Sequence, residues 1–188
     1  MPELIAPTVR LRDAWLEAHH EWGPGLHEDG FGLRPTDEVE TPAGFAAWVT
    51  RLTDESDPTK PPRDGRARCT YRWIVEDGRV LGGIALRLGP DDVVRRAGHV
   101  GYGIRPSARR RGLATWALGR MLGEARALGL HRVLVICEAD NVASARTIER
   151  HGGMLEDVRE TDLGTARRYW LPTAAGGPNG EDNCADDQ

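Results

Sequence analysis

The sequence predicts an α/β fold in which one mixed central sheet is flanked by helices. Two observations carry that expectation. Residues 71–75 and 80–88 are β-rich runs around Glu76-Asp77-Gly78-Arg79, a hairpin with an Asp-Gly turn. Residues 98–105, 113–128 and 133–137 then read as a strand, a long amphipathic helix and a buried strand of the parallel-sheet kind. A chain of 188 residues buries one core. One domain over 1–173 is expected, with helices and a loop over about 8–68 and the sheet core over about 71–171.

The first helix follows from Val9, Leu11, Ala14, Trp15 and Ala18, at helical spacing, and Gly23-Pro24-Gly25 stops it. Residues 23–41, rich in Gly, Pro and acids, read as a long loop or a broken helix. Thr41-Pro42 is an N-cap followed by proline at the first helical position, opening a helix through Phe45, Trp48, Val49 and Leu52. Residues 54–68 form a polar surface connection. After the hairpin, Pro106 ends the next strand. Leu113, Ala114, Ala117, Leu118, Met121, Leu122, Ala125 and Leu128 trace the apolar stripe of the long helix, which Gly129 closes. Residues 141–151 form a short helix ended by Gly152-Gly153, and strands fit 154–160 and 166–171. The acidic tail 174–188 has too little apolar surface to order itself.

Composition excludes several classes. No apolar run is long enough to cross a bilayer, and Met1-Pro2-Glu3-Leu4 lacks the order of a secretory signal, so a cytoplasmic protein is expected. Cys69, Cys137 and Cys184 are too few and scattered for a disulfide framework or a metal cage. His19, His20 and His27 at a helix end offer no ligand geometry, so no metal is expected. A net charge of -4 gives no reason for nucleic-acid binding. The charge is uneven: acids dominate 17–57, whereas four arginines and no acid lie between Arg105 and Arg111. That split suggests one surface for an anion and one for a cation.

The chemistry-bearing segment is Arg109-Arg110-Arg111-Gly112-Leu113-Ala114-Thr115, where a strand turns into the long helix. First-turn amides of a helix have no intrahelical partner, and with the helix dipole they bind phosphate. Gly112 and Ala114 leave the backbone open to a pyrophosphate. Each exposed arginine adds about 1 kcal/mol or less, so the backbone orients and the arginines recruit. The glycine pattern fits neither a dinucleotide fingerprint, which needs a third glycine, nor a P-loop, which needs Gly-Lys-Ser/Thr.

These residues resemble the GNAT superfamily of N-acetyltransferases, whose hallmark Q/R-x-x-G-x-G/A is filled by Arg109, Gly112 and Ala114. The likeness spans about 71–171. It is greatest to bacterial acetyltransferases with a G-H-[IV]-G-Y-x-[IV]-R-P-S stretch, here 98–107. They also carry a D-N-x-[AS]-S-x-x-x-I-E-[KR]-x-G-G stretch, here 140–153, and a late Tyr-Trp, here Tyr169-Trp170. The resemblance implies a mixed sheet of GNAT type with acetyl-CoA as co-substrate and no metal. It implies that the backbone of Tyr102, Gly103 and Ile104 pairs with the pantetheine arm, the Tyr102 N–H polarising the thioester carbonyl. The amides from Arg110 to Thr115, including Leu113, take the pyrophosphate, and Asn141 and Ser144 face the coenzyme arm.

The departure from the family concerns proton transfer. A tyrosine that many relatives use as general acid is Ile148 here, leaving Ser144 or Tyr169. The positions that supply a base are Gly98 and Val100; the adjacent His99 would need a β-bulge to turn inward, and is otherwise a structural histidine. The acceptor side is expected at Trp22, Glu28, Asp29 and Asp37, with Trp73 and Tyr169 on the strands. Acids beside aromatics suit a cationic small-molecule amine such as a polyamine or an aminoglycoside-like sugar, although a solvated acidic loop reads equally well. A protein or peptide N-acetyltransferase and a catalytically weak acyl-CoA sensor are the alternatives. No nucleic acid or membrane partner is expected, and homodimerisation is left open.

Overall fold

A computed structural model describes residues 1–23, 29–61, 68–89, 91–161 and 164–174. Glu28, His27, Cys184 and nearly all of the expected acidic tail lie outside the described residues. In chain order the elements are β1 (Glu3–Ile5), α1 (Arg12–Trp22), α2 (Pro42–Ser56), β2 (Arg68–Glu76), β3 (Arg79–Leu88) and α3 (Asp91–Ala97). Then follow β4 (Val100–Ile104), α4 (Leu113–Ala127), β5 (Arg132–Glu138), α5 (Val142–Glu149), β6 (Met154–Thr161) and β7 (Gly164–Pro172). Single 3-10 turns at Val9–Leu11 and Pro106–Ala108 precede α1 and α4. The expected first helix is thus split, its opening turn being wound more tightly.

The seven strands form one mixed sheet in the order β1-β2-β3-β4-β5-β7-β6. All neighbours are antiparallel except β4 and β5. Each sheet face buries its own core. On one, α4 and α5 pack Leu118, Met121, Ala145 and Ile148 against Ile84, Leu86, Val100, Val135 and Tyr169. On the other, α1 and α2 pack Trp15, Trp22, Phe45, Trp48 and Leu52 against Tyr71, Trp73 and Ala85. Trp15 lies 4.5 Å from Trp48 between ring centroids, and Trp48 stacks on Trp73 at 5.8 Å, so this second core is largely aromatic.

Local chemistry sets the helix starts. The Thr41 hydroxyl accepts the Gly44 N–H at 3.0 Å, with Pro42 at the first position of α2. Asn141 caps α5 by accepting the Ser144 N–H at 3.0 Å. Two elements exceed the sequence reading: the edge strand β1, which pairs Leu4 with Ile74, and the short helix α3. Among the described residues no helix is long and apolar enough to cross a membrane.

Candidate active site

The site is an opening in the sheet. Arg87 N–H donates to the His99 carbonyl at 2.7 Å and Arg105 N–H to the Leu81 carbonyl at 2.9 Å. By the alternation of an antiparallel ladder, Gly101 and Gly103 also turn their polar groups toward β3. Val100, Tyr102 and Ile104 turn theirs toward β5. Only Val100 meets a partner there, Val135, before β4 and β5 splay apart. The backbone edge of Tyr102 and Ile104 is therefore left without a strand beside it, a place for an extended chain to lie.

Beyond Ile104 the chain enters the turn that opens α4. Arg109 is extended, Arg110 is left-handed at φ 64°, and Gly112 is left-handed at φ 77°. A left-handed arginine costs about 1 kcal/mol or more, and here it helps aim successive N–H groups into one concavity. The first helical bond runs from Trp116 N–H to the Gly112 carbonyl at 2.9 Å, and no side chain caps the start of α4. The amides of Leu113, Ala114 and Thr115 thus point out of the helix start. A Cβ added at Gly112 would meet no protein atom within 4 Å. His151 Nε2 lies 2.7 Å from the Thr115 carbonyl and fastens α5 to this end of α4. These features suit an anionic pyrophosphate.

The four arginines of this stretch are not one basic patch. Arg105 is 3% exposed and neutralised by Glu17 and Glu21. Arg111 pairs with Glu76. The Arg109 guanidinium lies over the Trp22 ring at 5.4 Å and donates from Nε to the Ile104 carbonyl at 3.1 Å. Arg110, among the described residues, makes no ion pair. The attraction expected from four cations therefore falls on Arg109, Arg110 and the backbone.

Across the opening, the Tyr102 hydroxyl lies 2.8 Å from Ser144 Oγ. Burial pushes the Tyr102 phenol up to about 12, a rise that the Ser144 contact partly offsets, so the phenol keeps its proton. Cys137 adjoins Ser144 from β5, and burial raises its thiol, which suits a small buried side chain rather than a nucleophile. Asn141 spends its carboxamide oxygen on the cap of α5, which leaves its nitrogen as a donor.

Three expected roles change. His99 donates its backbone N–H to Leu134 O at 2.7 Å while its own carbonyl serves Arg87, a bulge-like switch of neighbours. Its ring does not turn into the opening: Nδ1 accepts the Leu134 N–H at 2.9 Å, at the closed end of the ladder, so His99 holds β4 to β5. Tyr169 is 2% exposed and donates to Glu149 Oε1 at 3.1 Å, committing it to α5. Trp73 is fully buried beneath α2 and cannot meet an acceptor without opening the aromatic core.

On the α1–α2 face the acceptor wall narrows as well. A Cβ on Gly103 would lie 2.8 Å from both the Asp29 carbonyl oxygen and the Trp22 ring, so only glycine lets that loop seat against β4. Trp22 is a buried floor rather than an open contact, while Asp29 is exposed beside the opening. Asp37 is drawn away: it accepts from Arg51 at 2.6 Å and from Arg34 N–H at 2.7 Å, in a network with Glu55.

Sequence reasoning missed the tie between α1 and the turn. Glu21 accepts from Arg105 Nε at 2.6 Å, from the Ser107 hydroxyl at 2.9 Å and from the Ser107 N–H. Arg105 also reaches Glu17 at 2.8 Å, which in turn meets Arg79 at 3.2 Å. Burial opposes ionisation of Glu21, but the bonds from Ser107 and Arg105 outweigh it and hold the carboxyl below the usual glutamate range. The local signal for it is acids on α1 and an arginine directly after the strand. Among the described residues no cluster of acids, histidines and cysteines could hold a metal ion.

The model of the acetyltransferase (GNAT) domain matches residues 17–154. No curated protein matches the sequence. Among solved structures, the chain resembles the microcin C7 self-immunity acetyltransferase MccE in complex with acetyl-CoA and AMP, at 14% identity and TM-score 0.67, over 91% of this chain and 92% of that one. It resembles RimL, the ribosomal L7/L12 alpha-N-protein acetyltransferase, in complex with coenzyme A, at 16% identity and TM-score 0.68, over 91% and 93%. It resembles Mycobacterium smegmatis RimJ in complex with CoA-disulfide, at 19% identity and TM-score 0.65, over 91% and 81%.

Proposed function

Because the chain belongs to the GNAT acetyltransferases, we propose that it moves the acetyl group of acetyl-CoA directly onto a primary amine, the coenzyme lying along Tyr102–Ile104 and on the turn to Thr115. The observation that carries this reading is the Tyr102–Ile104 edge without a neighbouring strand, followed through the turn at Pro106–Gly112 by a helix start that no side chain caps. Acetyl-CoA supplies the activated thioester. The Tyr102 and Ile104 backbone orients the arm, and the Tyr102 N–H stabilises negative charge developing on the carbonyl oxygen. The Tyr102–Ser144 hydroxyl pair donates a proton to the sulfur as the C–S bond breaks. Protonated Cys137 supports direct attack by the amine over a covalent enzyme route.

The amine approaches from the α1–α2 face and loses its proton to water or to Asp29. Asp29 favours an acceptor presented as a cation, such as a polyamine or an aminoglycoside-like sugar. The N-terminal amine of a polypeptide is the second reading. It is favoured by the withdrawal of Asp37 into the Arg51 network, which leaves, among the described residues, a sparser acidic wall than a polycation would use. The test is thiol release from acetyl-CoA with polyamines, aminoglycosides and short peptides with free N-termini. Tight acetyl-CoA binding without amine-dependent thiol release would favour an acyl-CoA sensor instead.

A further inference from the structure

We propose that Glu21 is a positioning residue for the pyrophosphate turn, holding it from the far side of the sheet through Ser107 and Arg105. The proposal rests on reading the turn as the pyrophosphate site. Glu21 sits in the last turn of α1, yet its carboxylate takes both donors of Ser107, the backbone N–H and the hydroxyl. Ser107 is the middle residue of the 3-10 turn Pro106–Ala108, and Arg109 to Gly112 follow directly. Fixing Ser107 therefore fixes the point from which the anion-binding backbone is strung.

The next residue of α1 serves the same segment. Trp22 lies under the Arg109 guanidinium at 5.4 Å and abuts Gly103. Glu21 and Trp22 thus grip the turn at positions 107 and 109 from one helical turn, beside the loop that carries Asp29. The charge arrangement is consistent with this role. Two carboxylates this near a pyrophosphate would repel it, but Glu21 is paired with the buried Arg105 and Glu17 with Arg105 and Arg79, and both point their oxygens at donors. What they contribute to the turn is geometry.

Glu21→Gln keeps the volume but replaces one accepting oxygen by a donating nitrogen, which cannot satisfy both Ser107 donors and Arg105 together. Charge-assisted bonds of this kind correspond to about a tenfold to hundredfold effect. The experiment compares acetyl-CoA with S-acetylpantetheine, which has the thioester and the arm but no pyrophosphate. In the wild type, acetyl-CoA should have the higher kcat/KM. Glu21→Gln should lower kcat/KM for acetyl-CoA about tenfold or more, mainly through KM, and change that for S-acetylpantetheine less than about twofold. Ser107→Ala, a milder change, should show the same donor dependence with a smaller loss.

Equal losses with both donors would mean that Glu21 merely stabilises the fold and would overturn the proposal, as would an unchanged KM for acetyl-CoA in both variants. A wild type that does not discriminate between the donors would overturn the reading of the turn itself, and the proposal with it. Should Glu21→Gln fail to fold, Ser107→Ala alone decides by the same donor comparison.

Discussion

Tyr102 and Ser144 meet hydroxyl to hydroxyl at 2.8 Å across the opening between β4 and β5, one from a strand and the other from the first turn of α5. The position at which the family resemblance would put a tyrosine is Ile148 here, a side chain fully buried in the core. Replacing Ser144 by Ala, or Tyr102 by Phe, should lower kcat about tenfold to hundredfold with a small change in KM for acetyl-CoA. Steady-state kinetics checks the split.

The same pair sets a pH expectation. Burial raises the Tyr102 phenol to about 12, so its neutral, donating form persists well above the ordinary tyrosine value of about 10. The alkaline limb of the rate profile should therefore stay in place up to about pH 10 and be the same in Tyr102→Phe, apart from its lower plateau. An alkaline loss present in the wild type and absent from Tyr102→Phe would assign that limb to the phenol.

Acid should weaken the tie of α1 to the turn. The carboxyls of Glu17 and Glu21 are lowered in the folded protein, Glu17 chiefly by its bond from Arg105. A depressed folded value means stability that is present above the unfolded glutamate value of about 4.3 and lost as pH falls through the folded one. Urea midpoints should drop below about pH 4.5, and Glu21→Gln should flatten that part of the curve.

Two residues expected at the acceptor should affect stability instead. Trp73→Ala should cost about 3–5 kcal/mol through the cavity it leaves among Trp48, Phe45 and Ile5. Asp37→Asn should weaken the clamp on Arg51 and destabilise the loop before α2 without changing which amines are accepted. Chemical denaturation and amine selectivity, measured on the same samples, separate the two effects.

The parts of the fold legible in the sequence were those with a local cause. The cap at Thr41, the Asp-Gly hairpin and the turn ending at Gly112 each need particular residues within a few positions. Trp73 misled because the alternation of Cys69, Tyr71, Trp73 and Val75 assigns it a face of β2 but does not show that α2 covers that face there. The tie of Glu21 to Ser107 spans 86 residues and joins polar groups that no periodicity links. His99 was ambiguous for a related reason: its fate depended on whether the backbone switches neighbours at Gly98, where φ is 72°. Asp37 joined a network assembled from α2 and the loop, which only tertiary packing creates.

Calorimetric titration of Gly112→Glu with acetyl-CoA asks whether the donor's pyrophosphate sits on the open backbone at Gly112. No protein atom lies within 4 Å of the new Cβ, so the added side chain enters the space assigned to the anion. The left-handed backbone there adds about 1 kcal/mol of strain, which Gly112→Ala measures separately. With the pyrophosphate in that place, Gly112→Glu should lose acetyl-CoA affinity by at least about a hundredfold, well beyond Gly112→Ala, while both remain folded. Wild-type affinity in a folded Gly112→Glu protein would contradict that placement.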